Sequence, residues 1–150
     1  MKPLTTSQVP EIVKFAIRSG AFEKAHGQRT YDPVYITGLW ASLIEQNQAG
    51  GQVVYEGDTV VGAIVWALCG NWYSPEEMLD IIVWAVDPHH KGLTVGGKLL
   101  QAAIHEADTR GVPLSMSLGP STPVTLSWAL GRWGFTPGAL DYERPIYGKS

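Results

Sequence analysis

An α/β domain, with helices laid against a central sheet, is predicted by three features of this sequence. Segments of helical spacing alternate with strand-like runs along the chain. A strand, a proline turn, a glycine-rich loop and a helix start follow one another between Met78 and Leu100. Hydrophobic residues make up 45% and charged residues 17%, a balance that argues against disorder. No repeat, low-complexity stretch or linker interrupts the 150 residues, so one domain is expected, long enough to bury a core without disulfides or metal.

A short strand is expected at Lys2 to Thr5. Ser7 can cap a first helix, on which Val9, Ile12, Val13, Ala16 and Ile17 fall on one face, and Gly20 ends it. The segment from Ala21 to Thr30 has no regular pattern. Asp32-Pro33 reads as an N-cap followed by proline at the first helical position. The helix it opens runs to about Gln48, with Val34, Leu39, Trp40, Leu43 and Ile44 expected inside and Gly50-Gly51 as its stop. Gln52 to Glu56 and Thr59 to Leu68 are strand-like, and Gly57-Asp58 between them reads as a tight hairpin. Gly62 marks a bulge or a close backbone approach.

Met78 to Val86 is a run of β-branched, aliphatic and aromatic residues closed by Pro88, which suits a strand covered on both faces. The loop Lys91 to Gly97 opens a helix, Val95 to Arg110, whose Leu99, Leu100, Ala103, Ile104 and Ala107 recur at helical spacing. Amides at such a helix start lack internal acceptors, so they and the helix dipole can hold a phosphate. Gly92, Gly96 and Gly97 let a bulky ligand approach the main chain, and Lys91 adds a positive charge. No Gly-Lys-Ser/Thr or G-x-G-x-x-G pattern is present, which leaves a different phosphate site or a purely structural loop. Beyond Gly111 and Pro113, a strand at Leu114 to Leu118 is followed by a helix at about Val124 to Trp133, ended by Gly134. A last pair of strands is expected from Phe135, with Tyr142 to Tyr147 the clearer one.

With 11 basic and 14 acidic residues the net charge is −3, so no general attraction for nucleic acid or anionic membrane is expected. Cys69 is the only cysteine, which precludes an intramolecular disulfide and points to a reducing cytoplasm; it reads as a small buried residue rather than a nucleophile. The first residues lack the apolar core of a signal peptide, and Val60 to Cys69 falls far short of the roughly 20 residues a membrane-spanning helix needs. A soluble protein is expected. His89 and His90 read as surface residues beside the loop, and no metal is expected because no third ligand lies at a recognisable spacing.

Val86, Pro88, Lys91, Gly92, Val95 and Gly96 resemble the acetyl-CoA motif of the GNAT family of N-acetyltransferases, V-x-P-x-x-[RQ]-[GR]-x-G-[IV]-[GA]. Lys91 stands where Arg or Gln is usual, and Thr94 where the motif has its central glycine. The order of the elements also resembles that family. The resemblance implies a mixed central sheet whose two central parallel strands splay apart, flanked by helices, and acetyl-CoA as cosubstrate. It places the pantetheine arm on Trp84, Ala85 and Val86, and the pyrophosphate on the amides of Lys91, Gly92, Leu93, Thr94, Val95 and Gly96, with Gly97 beside them.

An amine acceptor is mostly protonated at neutral pH, so transfer needs a base or a water chain. Asp80 stands where histone-acetylating members carry a glutamate, and period-2 alternation puts it on one face with Ile82, Trp84 and Val86. It reads either as that base or as a solvated charge at the strand start, with Glu77 in reserve. The family's tyrosine acid aligns with Leu130 and its usual asparagine with Pro123, leaving Ser127, Tyr142 or a water to protonate the thiolate. Trp72 and Tyr73 either pack onto the sheet edge or line an acceptor pocket. The expected activity is acetyl transfer to a small-molecule or peptide amine, with homodimerisation open. The alternative is a catalytically degenerate GNAT-like protein, for example a phage or accessory protein, that serves as a CoA-binding, interaction or structural component.

Overall fold

The computed structural model describes residues 1–26, 30–70, 72–90, 93–118 and 124–138. These fall into two units, residues 1–120 and residues 121–150. In the first, β1 (Lys2–Pro3), β2 (Ala49–Glu56), β3 (Thr59–Cys69), β4 (Met78–Val86) and β5 (Leu114–Met116) lie side by side in chain order. The first three pairings are antiparallel and the last is parallel, which makes the sheet mixed. Gly57 has a φ of +62° and Asp58 does not have a positive φ, so the β2–β3 hairpin has the II′ pattern, with glycine at the first central position.

Helices cover both faces of this sheet. On one, α1 (Val9–Arg18), α2 (Ala21–His26) and α3 (Pro33–Glu45) bury Val9, Ile12, Val13, Phe15, Ala16, Phe22 and Trp40 against Val53, Ala63, Val65 and Val83. A ten-residue helix is marginal alone in water, so α1 is held by the apolar face it buries. On the other face lies α4 (Leu93–Arg110), which links β4 to its parallel partner β5 and buries Leu99, Leu100, Ala103 and Ala107. Gly62 lets it come close, since a Cβ there would lie 3.1 Å from Val95 Cγ1 and 3.3 Å from Leu99 Cδ1. Gly62 also adjoins an irregularity in the β2–β3 register, so both expected roles coincide in it. The second unit contributes α5 (Val124–Arg132), closed by Gly134 at φ +88° with the Phe135 amide bonded to the Leu130 carbonyl at 3.1 Å.

Several local expectations need correction. The first helical segment opens with a 3₁₀ turn, Thr6–Gln8, in which Thr5 and Gln8 form the capping box, so Ser7 is not the cap of α1. Ile17 is at the surface and Phe15 is in the core instead. The segment read as irregular forms α2, six residues and too short to show a period, anchored by Phe22 stacking on Tyr31 at 5.1 Å. Asp32 caps α3 as expected, its Oδ1 accepting from the Val34 and Tyr35 amides at 3.0 and 3.2 Å. Trp40 is the one fully buried residue of that helix, however, and Val34 and Leu39 face solvent. Gly50 and Gly51 belong to β2 rather than to a helix stop. No strand is present over 135–138, and the strand expected at Tyr142 to Tyr147 lies outside the described residues.

Gly51→Ala should destabilise the protein by about 1–3 kcal/mol, the range for overpacking, because the new Cβ would meet the Ile64 carbonyl oxygen, a backbone atom that cannot rotate away. Gly38→Ala, on α3 with nothing within 4 Å, should instead stabilise it by up to about 1 kcal/mol. Urea titration of both variants checks the pair, and equal midpoints would contradict the packing argument.

Candidate functional site

The site begins with one surplus residue in β4. Val65 pairs with Val83 and Trp66 with Ile81, so Ile82 is an insertion in the ladder, a β-bulge. Beyond it the strand changes phase. Before the bulge, the Leu79 amide bonds the Pro113 carbonyl at 2.8 Å on the β5 side; after it, the Asp87 amide bonds Val61 on β3 at 2.7 Å. By alternation the main chains of Val83 and Ala85 also turn to β3, and those of Trp84 and Val86 turn to the opposite edge.

Among the described residues, that edge has no strand partner beyond Ile81, which leaves a gap in the described sheet. Parallel pairing covers Leu79↔Leu114, Asp80↔Ser115 and Ile81↔Met116 and then stops, because β5 ends at Met116 and β4 continues to Val86. At the far end of the gap the chain makes a fixed turn, in which Asp87 Oδ1 accepts from the His89 amide and the Asp87 carbonyl from the His90 amide, both at 2.9 Å. His90 Nδ1 lies 3.0 Å from Glu56 Oε2, which ties this turn to the β2–β3 hairpin.

The helix after the turn points its N-terminus at the same place. Trp84 Nε1 donates to the Gly96 carbonyl at 3.0 Å, and a Cβ on Gly96 would lie 3.6 Å from Val86 Cγ2, so the first turn of α4 rests on the strand bordering the gap. This turn carries no acidic residue, and Thr94 is exposed on it. Amides at this end have no acceptor within the helix, which makes it a place for an anion.

The bulge also decides where Asp80 goes. Cross-strand partners share a face, and Asp80 pairs with Ala67, two residues beyond Val65 on β3. Asp80 therefore lies on the face covered by α1, α2 and α3, with Val83, and not with Trp84 and Val86 as uninterrupted alternation predicts. It is half-buried. Its Oδ1 accepts from Ser115 Oγ at 2.9 Å, and Ser115 Oγ also lies 3.5 Å from Met78 Sδ. Cys69, paired with Met78 on the same face, has its thiol pKa raised first by burial and then by the negative charge of Asp80.

The other expected site residues are spread around this frame. Leu93, Thr94, Val95, Gly96 and Gly97 form the first turns of α4, while Lys91, Gly92 and Tyr142 lie outside the described residues. Glu77 is exposed just before β4. Trp72 and Tyr73 are 97% and 95% exposed, which rules out packing onto the sheet edge. Leu130 is buried, and the side chain of Ser127 is not among those described. Among the described residues, no group of three His, Cys, Asp or Glu side chains is arranged to hold a metal ion, and no helix is long and apolar enough to cross a membrane. Ser115 was not singled out from sequence, because its pairing with Asp80 depends on a register that no local pattern encodes.

Comparison with known proteins agrees with this geometry. The sequence profile of the acetyltransferase (GNAT) family matches residues 15–135. No curated protein matches the sequence. Among solved structures, a GCN5-related N-acetyltransferase from Ralstonia eutropha is 18% identical over 98% of this chain and 97% of its own, with a TM-score of 0.69. A predicted acetyltransferase from Clostridium acetobutylicum, solved with acetyl-CoA, is 13% identical over 97% and 94%, with a TM-score of 0.75. A ribosomal-protein-alanine N-acetyltransferase from Brucella melitensis is 12% identical over 96% and 97%, with a TM-score of 0.64.

The raised thiol pKa makes a prediction that needs no substrate. Cys69 should alkylate slowly with iodoacetamide at pH 8, because thiolate is the reactive form. Asp80→Asn should speed the reaction at that pH by removing the charge that opposes ionisation. An unchanged rate would mean that Asp80 does not act on the thiol.

Proposed function

We propose that this chain, which belongs to the GNAT family of acetyltransferases, transfers the acetyl group of acetyl-CoA to a primary amine on a small molecule or peptide. The observation that carries this reading is the parting of β4 from β5, with Trp84 and Val86 directing main-chain groups into the gap and α4 starting at its far end. An extended arm bearing amides and ending in a pyrophosphate matches that layout. Strand edges bond amides, and free helix amides bond phosphate. The absence of any acidic residue in the first turn of α4 agrees with an anionic ligand there.

Acetyl-CoA supplies the activated thioester, and the chain supplies position and proton transfer. Trp84 and Val86 hold the arm by their main chains, with Ala85 between them bound to β3. Leu93, Thr94, Val95, Gly96 and Gly97 present the helix amides to the pyrophosphate, preceded in sequence by Lys91 and Gly92. Asp80 belongs to the last-but-one parallel pair, beside the point where the strands part, and there its carboxylate takes a proton from the amine so that the nitrogen lone pair can attack. Asp80 is the base in this reading and Glu77, exposed before the strand, is the reserve. The thiolate formed has an ordinary thiol pKa of about 8.5, so it departs near neutral pH with little help from an acid. Tyr142 is the side chain proposed to provide that help. The lone, partly buried Cys69 suits a reducing cytoplasm.

A second reading is favoured by one observation. Leu130, aligned with the family's tyrosine, is a buried hydrocarbon that can give no proton. On that reading the chain binds CoA as an accessory or interaction component and does not turn over.

Two variants separate these possibilities. Thr94→Glu puts a carboxylate in the first turn of α4, where it favours the helix but repels phosphate, so CoA affinity should fall at least about tenfold with no loss of thermal stability. Calorimetry showing undiminished affinity would remove the phosphate from this helix. Asp80→Asn should lower the transfer rate to a protonated amine by roughly 10²–10⁴, and the deficit should narrow at high pH, where free amine is plentiful. A wild-type protein that binds CoA but acetylates none of a broad amine and peptide panel supports the accessory reading.

A further inference from the structure

We propose that Ser115 is the positioning residue for Asp80, holding its carboxylate and setting the pH at which it can accept a proton. The inference rests on the proposed role of Asp80 as base. Ser115 Oγ lies 2.9 Å from Asp80 Oδ1, across a parallel pair in which both residues sit on sheet backbone. Their separation is thus fixed by the ladder rather than by a loop.

The serine has one hydroxyl proton and two acceptors within reach, Asp80 Oδ1 at 2.9 Å and Met78 Sδ at 3.5 Å. A thioether is a weak acceptor, so while Asp80 is ionised the proton belongs to the carboxylate. That bond favours the charged form over the neutral one. Once Asp80 has taken the amine's proton, the hydroxyl can rotate toward Met78 Sδ and offer its oxygen to the carboxylic acid. A single side chain thereby satisfies both states of the base without moving the backbone.

Ser115 is not the sole group that acts on Asp80. Cys69, from β3, is a titratable neighbour, and its raised pKa keeps the thiol neutral through neutral pH. Glu11, Lys14 and Arg18 of α1, Glu23 of α2 and Glu45 of α3 are exposed, as are Glu76 and Glu77 before β4. Lys24 and His26 of α2 have side chains outside the described set.

The test measures Asp80 directly. In protein labelled with ¹³C at aspartate carboxyls, with Asp80→Asn identifying the signal, Ser115→Ala should raise the Asp80 pKa by about one unit, the shift expected for losing a hydrogen bond to a charged group. Ser115→Thr, which retains the hydroxyl, should restore it. The acid limb of kcat/KM against pH, followed by CoA thiol release with an accepted amine, should move up by the same amount in Ser115→Ala and return in Ser115→Thr. A merely structural serine would lower activity at all pH values without moving that limb. An Asp80 signal that titrates at the same pH in wild type and Ser115→Ala overturns the proposal. If the signal shifts while Asp80→Asn still transfers acetyl normally, the base assignment fails, and the catalytic meaning of Ser115 fails with it.

Discussion

The layout of the site depends on one residue that has no partner position in the β3–β4 ladder. Without Ile82 as an insertion, β4 would keep one phase from Met78 to Val86, and the main chains of Trp84 and Val86 would turn to β3. Asp80 would then share the α4 face with Trp84. With it, the strand pairs with β5 over Leu79 to Ile81 and, beyond, presents an edge of alternating donors and acceptors where β5 has ended. A bulge costs local ladder regularity, and here it gives the two parts of one strand opposite main-chain directions.

Glycine and tryptophan complete the arrangement by setting how closely α4 approaches. Gly62 removes the Cβ that would otherwise press on Val95 and Leu99, and Gly96 rests against Val86 and Trp84. The Trp84 indole donates to the Gly96 carbonyl and so fixes the start of the helix on the strand. Closeness and orientation are thus set by different atoms. The Asp87 turn and the His90–Glu56 contact hold the entry to this helix from the side of the hairpin.

The fold class, the alternation of elements, the Asp32 cap, the Gly57 hairpin and the glycine-loop helix were legible because each is encoded within a few residues. What failed to be legible was non-local. The helix Ala21–His26 is held by Phe22 against Tyr31 and Trp40 rather than by a period of its own. Gly50-Gly51 reads as a helix stop in sequence, yet the pair is in β2 because Ile64 and Trp66 leave no room for side chains. The face of Asp80 was misread for the same reason. Hydrophobic alternation runs unbroken from Leu79 through Ile81 to Val83, since both faces of the sheet are covered and burial alone cannot reveal on which of them a residue lies. The partnership with Ser115 required the length of α4 and the register of a parallel pair.

The separation of faces has an electrostatic consequence. The start of α4 carries the positive end of a long helix dipole and suits an anion, whereas Asp80 on the opposite face suits a cation. Groups of opposite charge are therefore favoured on different sides of one strand. By carrying Asp80 to the other side of the sheet, the bulge places its carboxylate among the partners on that side, Ser115 being one of them.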